Sequence, residues 1–320
     1  MRVFVCETVS GGDHIGVDLP EALIAEGIMM RDALIGDLED LPGIRVITTH
    51  DARLDPPARG DSIAIRPGDD TRAIWNDLAA QADCCWPIAP ECEGILDRLV
   101  EQLRARNSRV IACEEETLRL CASKARTAEQ LTAAGIAAIP TWSPDTVPTG
   151  RLGPFVIKPD DGAGAVDVRV FSRLPAGPYP PGVVVQPLVE GMAASLNLLC
   201  QLGRTHVLSA NRQHMSTVDG QMVLRGVTVG AFPVDEALRG LGEAIGAAFP
   251  GLHGFLGVDY IATPDGPVIV EINPRLTTSY VGLRRSLGIN PLAFLAELSH
   301  DGVVPDLPPL PSTVPVEISL

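Results

Sequence analysis

The sequence predicts an α/β domain with a parallel sheet, followed by an α+β region that contains hairpins. Up to about residue 118, short apolar strands alternate with helical segments, which is the pattern of βαβ units and a parallel sheet. After that point, pairs of strands follow each other across tight turns, including an Asp-Gly turn within "TPDGPV". A chain of 320 residues is long enough for two or three domains with a sizeable core.

The first part of the chain contains the alternating elements. Strands are predicted for "RVFVCE", "IRVITTHD", "DCCWPIAP" and "SRVIACEE". Helices are predicted between them for "LPEALIAEGIMMRDALIGDLEDL", "RAIWNDLAAQA" and "EGILDRLVEQLRARN". Ligands of parallel sheets collect at the carboxyl ends of the strands, so residues after the first and third strands are candidates for one binding rim. They are Glu7, Ser10, Gly11, Gly12, Glu91 and Glu93.

The second part has a different pattern. "TLRLCASKARTAEQLTAAGI" is predicted to be helical, with Lys124 near a helix start, and a further helix is predicted near residues 234–249. Strands are predicted for "FVIKP", "VRVFS", "GVVVQPLVEG", "SLNLLCQLG", "THVLSANRQHM", "FLGVDYIAT" and "PVIVEINPR". The Pro-rich segment from about 303 to 315 is predicted to be an extended surface segment.

Composition excludes several classes of function. The net charge of -15 argues against a general binder of nucleic acid or of a membrane surface, because both need a basic face. The sequence contains no run of about 18 apolar residues, so no transmembrane helix is predicted. The N-terminus lacks the apolar region of a signal peptide, so none is predicted. The 7 cysteines are odd in number and show no CxxC spacing, so neither a disulfide framework nor a zinc site is predicted. We expect a cytoplasmic protein.

The segment "FVIKPDDGAGAVDVRVF" predicts a hairpin whose tip can cover phosphate groups. Lys158 ends an apolar strand and supplies a point charge, and glycines in the following loop let backbone N–H groups approach anionic oxygens. The segment lacks the GK[ST] ending of a Walker loop. The alternative is a plain hairpin whose lysine extends to solvent.

The segment "VDYIATPDGPVIVEINPR" predicts a candidate metal site. Its Asp-Gly turn brings Asp259 and Glu271 to neighbouring positions on two strands, with Asn273 on the same face as Glu271. Carboxylate and amide oxygens suit Mg²⁺ that is shared with nucleotide phosphates. Arg275 adds a fixed positive charge for a developing anion. Structural ion pairs in a partly exposed hairpin are the alternative.

The order of these motifs resembles the ATP-grasp superfamily. A lysine before a helix (Lys124), a strand lysine with a glycine loop, a strand that runs into a linker, and Asp…Glu-x-Asn-x-Arg follow one another over residues 120–285. The resemblance implies that Lys124 and Lys158 contact the phosphates of ATP. It also implies that the phosphate loop consists of Gly162, Ala163 and Gly164.

The same resemblance implies an adenine pocket and a metal. Residues 186–189, with Gln186 and Val189 at the ends, hold adenine, and the three hairpin residues bind Mg²⁺, with Mn²⁺ as an alternative. The chain departs from the family pattern at two positions. Gln186 stands where glutamate is frequent, and the acidic ribose ligand falls near Ala193, which leaves Glu190 as the candidate.

A narrower resemblance covers nearly the whole chain. Segments such as "FVCETVSGGD", "WPIAPECEGIL", "SKARTAEQLTAAGI" and "EINPRLTTSYVGL" are similar to the tyramine–glutamate ligases of methanofuran-type cofactor synthesis. The resemblance implies a pre-ATP-grasp domain over 1–118, a small ATP-grasp subdomain over 119–187 and a C-terminal subdomain with the metal site over 188–320.

We therefore expect an ATP-dependent ligase that joins the carboxylate of glutamate to tyramine, tyrosine or a related amine. Arg275 and Lys158 are the candidate catalytic residues. Candidate carboxylate clamps are Arg212, Arg275 and Arg284, candidate ammonium ligands are Glu7, Glu91 and Glu93, and Ser10, Gly11 and Thr278 complete the substrate set. The alternatives are an ATP-grasp kinase that phosphorylates a small metabolite and an amino-acid ligase of the pyrrolysine type. The expected partners are small molecules, and a homodimer is one option.

Overall fold

A computed structural model describes residues 1–162, 164, 166–299, 305–310 and 313–320 of the protein. Its strands form a parallel 4-stranded sheet and a 9-stranded sheet whose strand pairs are antiparallel. The predicted fold class, an α/β region followed by an α+β region, is confirmed. Among the described residues, no helix is long and apolar enough to cross a membrane.

The first sheet holds the beginning of the chain. Its strands are β1 (Arg2–Glu7), β2 (Arg45–Asp51), β3 (Asp61–Ile65) and β4 (Cys84–Ile88), in the order β3-β2-β1-β4. The helices of this region are α1 (Thr8–Gly11), α2 (Glu21–Glu39), α3 (Thr71–Gln81) and α4 (Ile95–Arg104). The carboxyl ends of β1 and β4 lie side by side, since Glu7 pairs with Ile88.

Two details of the first sheet differ from the sequence prediction. The segment "SRVIACEE" is not a strand, because only Val110 bridges to Cys85 before the chain turns away and Glu114 N–H bonds to Gly251 O. The edge strand β3 was not predicted. Its alternating half-exposed residues give a weaker apolar pattern than the buried strands have.

The second sheet carries the hairpins. Its strands are β5 (Phe155–Pro159), β6 (Arg169–Phe171), β7 (Val183–Pro187), β8 (Met192–Gln201), β9 (Arg204–Val218), β10 (Gln221–Phe232), β11 (Gly254–Thr263), β12 (Gly266–Asn273) and β13 (Val316–Ser319). The order is β12-β11-β8-β9-β10-β6-β5-β7, and β13 pairs with β10. Strands β10 and β13 were not predicted. The described parts of the Pro-rich segment, 305–310 and 313–315, have no regular structure, and residues 303, 304, 311 and 312 lie outside the described residues.

The remaining helices are α5 (Glu115–Ala122), α6 (Lys124–Ala133), α7 (Glu236–Ala248) and α8 (Tyr280–Leu287). The segment predicted to be helical therefore forms two helices, α5 and α6. The chain breaks at Ser123, which is extended, and its hydroxyl accepts a hydrogen bond from Arg126 N–H (3.2 Å). Serine is a favoured N-cap, so the break starts a new helix at Lys124 and fixes where that lysine begins.

The two sheets share packing that holds the two regions together. One cluster of buried apolar side chains runs from Phe4 and Leu99 in the first region to Leu196 and Ile272 in the second. Helix α2 also docks on α8, where Asp37 accepts hydrogen bonds from Tyr280 Oη (2.9 Å) and Arg284 Nη1 (3.1 Å). Side chains from both regions can therefore face one cavity. The domain boundaries after residues 118 and 187 stay predictions.

Candidate active site

A cavity of about 200 Å³ opens between the two regions of the molecule. Its walls come from the β5–β7 hairpins, the β11–β12 hairpin, the turn after β12 and helix α2. The predicted site residues that line it are Lys124, Lys158, Gly162, Gly164, Gln186, Val189, Asp259, Glu271, Asn273, Arg275 and Thr278. Ala163 lies outside the described residues. Residues far apart in the sequence thus line one cavity, although the order of the motifs along the chain does not by itself require them to be close in the fold.

The β11–β12 hairpin places two carboxylates opposite each other. Asp259 pairs with Glu271 across the strands, and Asn273 Nδ2 lies 3.4 Å from Asp259 Oδ2. A register shift follows Asp259, as expected for a bulge that changes the direction of a side chain. Burial and the nearby Glu271 carboxylate raise the pKa of Asp259 to about 7. Two half-buried carboxylates on directly paired strand residues favour a cation between them.

Two lysines lie next to Glu271. Lys124 Nζ is 3.4 Å and Lys158 Nζ is 4.0 Å from Glu271 Oε2. Burial raises the pKa of Glu271, but both ammonium groups outweigh it, and the pKa lies below its usual value. Burial lowers the pKa of Lys158 to about 8. Lys124 and Lys158 are the only lysines in the 320-residue sequence, so every lysine of the chain faces this one carboxylate.

The start of α6 is tied to the loop after β5. Asp160 accepts hydrogen bonds from Ser123 Oγ (2.6 Å) and Ala125 N–H (2.9 Å), which caps the helix. Lys124 Nζ donates to Gly162 O (2.6 Å) and Asp160 O (3.2 Å). These bonds hold Lys124 at the base of the glycine loop, so the lysine and the loop form one unit.

Arg275 forms a buried ion pair across the two regions. Its Nη2 donates to Glu91 Oε2 (2.9 Å), and its Nη1 donates to Leu276 O (2.9 Å). Arg275 Nε and Glu91 Oε1 are buried without a hydrogen-bond partner. Unpaired buried polar atoms are costly. Arg275 lines the cavity, whereas the predicted ammonium ligand Glu91 lies outside the lining and is held by this ion pair.

Much of the remaining cavity lining is apolar. It includes Ile139, Val156, Leu188, Met215, Leu224 and Val270. Gln186 is buried, and its Nε2 donates to Thr141 Oγ1 (2.9 Å), so the side chain is fixed by the protein itself. An apolar slot with a few polar groups is the usual form of a nucleobase pocket.

Several predicted residues lie outside the lining. The carboxylate of Glu7 caps α1, where it accepts from Val9 N–H (2.9 Å), Ser10 N–H (2.6 Å) and Ser10 Oγ (2.5 Å). Ser10 and Gly11 are buried beside it and do not line the cavity. Burial raises the pKa of Glu7. These residues have a visible structural task in α1.

The remaining candidates outside the lining face solvent or other partners. Glu93 and Glu190 are exposed. Arg212 is exposed because neighbouring residues of a strand point to opposite faces, and Gln213 takes the cavity side. Arg284 Nη1 is bound by Asp37 (3.1 Å) and Asp40 (2.5 Å). The substrate roles of these residues stay predictions.

Sequence reasoning missed a chain of buried polar side chains behind the cavity. It runs from Ser195 through Asn211, Ser209 and Asn197 to Ser279, with hydrogen bonds of 3.2, 2.9, 2.9 and 2.9 Å. Ser195 and Ser279, the two end members of this hydrogen-bonded series, both line the cavity. The signal was present as polar residues two apart in "SLN" and "SAN", which places them on one face of each strand. We call these residues the polar chain.

Removing the middle of the polar chain is expected to destabilise the protein. In Ser209→Ala, Asn197 Nδ2 loses its acceptor in a buried place, which costs about 1–3 kcal/mol of unfolding free energy. Chemical denaturation measures this loss. Ser216→Ala is the matched control on the same strand, since Ser216 accepts only from the exposed Arg225, and a change within about 0.5 kcal/mol is expected. Equal stability of both variants would contradict the role of the chain.

Comparisons with known proteins identify the class of this fold and site. The model of the pre ATP-grasp 3 domain matches residues 44–118, and the model of the ATP-grasp domain matches residues 121–279. The chain belongs to the ATP-grasp family, because the models of its two domains together match most of residues 44–279.

Particular relatives carry the resemblance further. The tyramine–L-glutamate ligase of Methanocaldococcus jannaschii is 28% identical over 201 residues, which cover 62% of this chain but only 57% of the relative. The enzyme of the same name from Methanocaldococcus fervens is 27% identical over 274 residues, 82% of this chain and 84% of the relative. The solved structure of an ATP-grasp superfamily protein from Archaeoglobus fulgidus superposes with a TM-score of 0.71 at 20% identity, covering 100% of this chain and 99% of that one. The structural match shows the shared fold.

Proposed function

We propose that the protein joins the carboxylate of glutamate to a primary amine such as tyramine, driven by ATP, through an acyl phosphate. The observation that carries the proposal is the convergence of Lys124, Lys158, Asp259 and Glu271 on one cavity whose remaining lining is largely apolar. The names of the relatives supply the substrates. Substrates, partners and mechanism are proposals for this chain.

The residues of the β11–β12 hairpin fit Mg²⁺ as the metal, with Mn²⁺ as an alternative. Asp259, Glu271 and Asn273 offer hard oxygen atoms, and burial together with the facing Glu271 carboxylate raises the pKa of Asp259. Among the described residues no group of three or more His, Cys, Asp and Glu could hold a metal by itself. This set therefore suits an ion that takes its remaining oxygens from nucleotide phosphates. Bound there, the metal would supply charge neutralisation of the triphosphate.

The chain's own residues position the reactants. Lys124 and Lys158 bind the phosphates, the loop beside Gly162 covers them, and the apolar slot holds adenine. An oxygen of the glutamate carboxylate attacks the γ-phosphorus, the bond from that phosphorus to the bridging oxygen breaks, and ADP leaves. The amine nitrogen then attacks the carbonyl carbon, the carbon–oxygen bond to phosphate breaks, and one proton is lost as the amide forms. Arg275 stabilises the anion that develops at this carbonyl.

Product analysis tests the reaction. We expect ADP, phosphate and amide in equal amounts, with turnover that needs both glutamate and the amine, because the acyl phosphate stays shielded from water until the amine arrives. Hydroxylamine should trap it as glutamyl hydroxamate. Nucleotides are separated by chromatography and amides by mass spectrometry.

Other products would contradict the proposal in distinct ways. AMP and pyrophosphate would exclude the acyl phosphate. ADP with a stable phosphorylated product would favour a kinase, and an amide formed with lysine in preference to tyramine would favour a pyrrolysine-type ligase. A cytoplasmic location, the absence of nucleic-acid and membrane partners, and a homodimer as one option also stay predictions.

A further inference from the structure

Helix α2 brings an acidic side chain from the first region into the cavity wall. Glu26 lines the cavity and is half-buried. Its Oε2 accepts a hydrogen bond from Thr278 Oγ1 (2.5 Å) in the turn after β12. No described residue donates a hydrogen bond to its Oε1, which lies toward Gly164, where an added Cβ would be 3.9 Å away. Glu26 therefore presents one free carboxylate oxygen to the cavity, next to the glycine loop.

The fold holds this carboxylate in place. Asp37, farther along α2, binds Tyr280 and Arg284 of α8, and its backbone oxygen accepts from Asn290 Nδ2 (2.7 Å). Helix α8 directly follows the turn that carries Thr278. Glu26 and Asp37 of α2 thus both contact the short stretch of chain from Thr278 to Arg284. Glu26 is positioned by helix docking and not only by its own rotamer.

The carboxylates of the cavity divide into two groups. The described lining contains Glu26, Asp259 and Glu271. Asp259 and Glu271 face each other and the two lysines, which is the end that the proposed function gives to metal and phosphates. Glu26 contacts neither lysine in the described structure, so its charge is not used at that end.

The acidic residues named from the sequence have partners of their own. Glu7 accepts hydrogen bonds from the start of α1, and Glu91 is bound to Arg275. Glu93 is exposed. A partly desolvated carboxylate with an oxygen that accepts no hydrogen bond attracts a cation. Glu26 has such an oxygen and lines the cavity, whereas Glu7, Glu91 and Glu93 lie outside the lining.

We propose that Glu26 binds the ammonium group of the amine substrate and selects a cationic amine over a neutral nucleophile. This inference rests on the proposed function. An alkylammonium group titrates near the lysine value of about 10.4, so the amine arrives charged at neutral pH. A charge-assisted hydrogen bond to Oε1 would hold it beside the turn that carries Thr278 and Arg275. The amine would then lie between α2 and the carbonyl, which its nitrogen attacks after the ammonium group has released one proton to water.

Two nucleophiles separate this role from a structural one. Glu26→Gln keeps an oxygen that accepts from Thr278 but removes the charge. With tyramine as the nucleophile, we expect KM for the amine to rise about tenfold to a hundredfold, while KM for ATP is unchanged. With hydroxylamine, which is largely uncharged at neutral pH, we expect hydroxamate formation within about twofold of the wild-type rate. Asp77→Asn is the control, since it removes an exposed carboxylate on α3 outside the cavity lining, and both rates should stay at the wild-type value.

Three outcomes would overturn the inference. Equal losses with tyramine and hydroxylamine in Glu26→Gln would show a general effect on the site or on glutamate, and unchanged tyramine kinetics would show that the charge is not used. Thermal unfolding of the variant, compared with Asp77→Asn, distinguishes an unstable protein from a specific effect. If the wild-type protein forms neither amide nor hydroxamate, the proposed function itself fails, and the role of Glu26 fails with it.

Discussion

Replacing Glu271 by glutamine is expected to reduce turnover by about a thousandfold or more while the protein stays folded. Glu271 is opposite Asp259 and within 4.0 Å of both lysine ammonium groups, so one carboxylate links the proposed metal to the phosphate-binding lysines. Glutamine keeps the shape but removes the charge. Transition-state charge stabilisation of this kind is worth several kcal/mol, and each 1.36 kcal/mol is about tenfold in rate.

The hairpin that carries Glu271 also supplies its control. Asp265 lies exposed in the Asp-Gly turn between β11 and β12, and Asp265→Asn removes a carboxylate without reaching the cavity. We expect wild-type ADP release from this variant. Steady-state kinetics and circular dichroism on both variants make the comparison. A folded Glu271→Gln protein with wild-type turnover would remove the metal assignment.

The second large effect is expected for Lys158. In Lys158→Met the buried apolar stem is kept and the ammonium group is lost, so packing changes little. Loss of a fixed charge on the transferring phosphoryl group is expected to lower kcat/KM for ATP by at least about a hundredfold. KM for glutamate should change much less. Initial rates at varied ATP and varied glutamate measure both.

The only other lysine of the sequence, Lys124, also lines the cavity, so the control must be an arginine. Arg225 is exposed on β10 and contacts Ser216, and Arg225→Met removes one positive charge from the surface. We expect its ATP kinetics to match the wild type. If Arg225→Met and Lys158→Met lose activity to the same degree, net charge and not a phosphate contact explains the effect.

The part of the candidate site that lies within one hairpin was predictable from the sequence. The Asp-Gly turn fixes the pairing of β11 and β12, and the structure places Asp259 opposite Glu271 as expected. The same local logic applied to Arg212 would have excluded it. Counting strand positions from Gln213 puts Arg212 on the opposite face, where it is exposed.

Contacts between the two regions were not predictable in this way. Glu26 reaches the cavity because Asp37 of the same helix binds Tyr280 and Arg284, residues more than 240 positions later in the chain. Periodicity predicts that α2 is a helix but not which element it docks on. The edge strand β3 was not predicted, and the strand predicted around Val110 is wrong, for a related reason. Whether such short segments pair depends on their neighbours in the sheet and not on the local pattern.

The distribution of lysine has a practical consequence for chemical labelling. Apart from the terminal amine of Met1, the only primary amines of the chain are those of Lys124 and Lys158, each about 6% exposed. An amine-reactive ester or reductive methylation therefore finds almost nothing to modify on the outer surface. Labelling of either lysine reports that reagent has entered the cavity, and a bound molecule should block it. Mass spectrometry of the labelled, unmutated protein can thus read occupancy of the cavity directly.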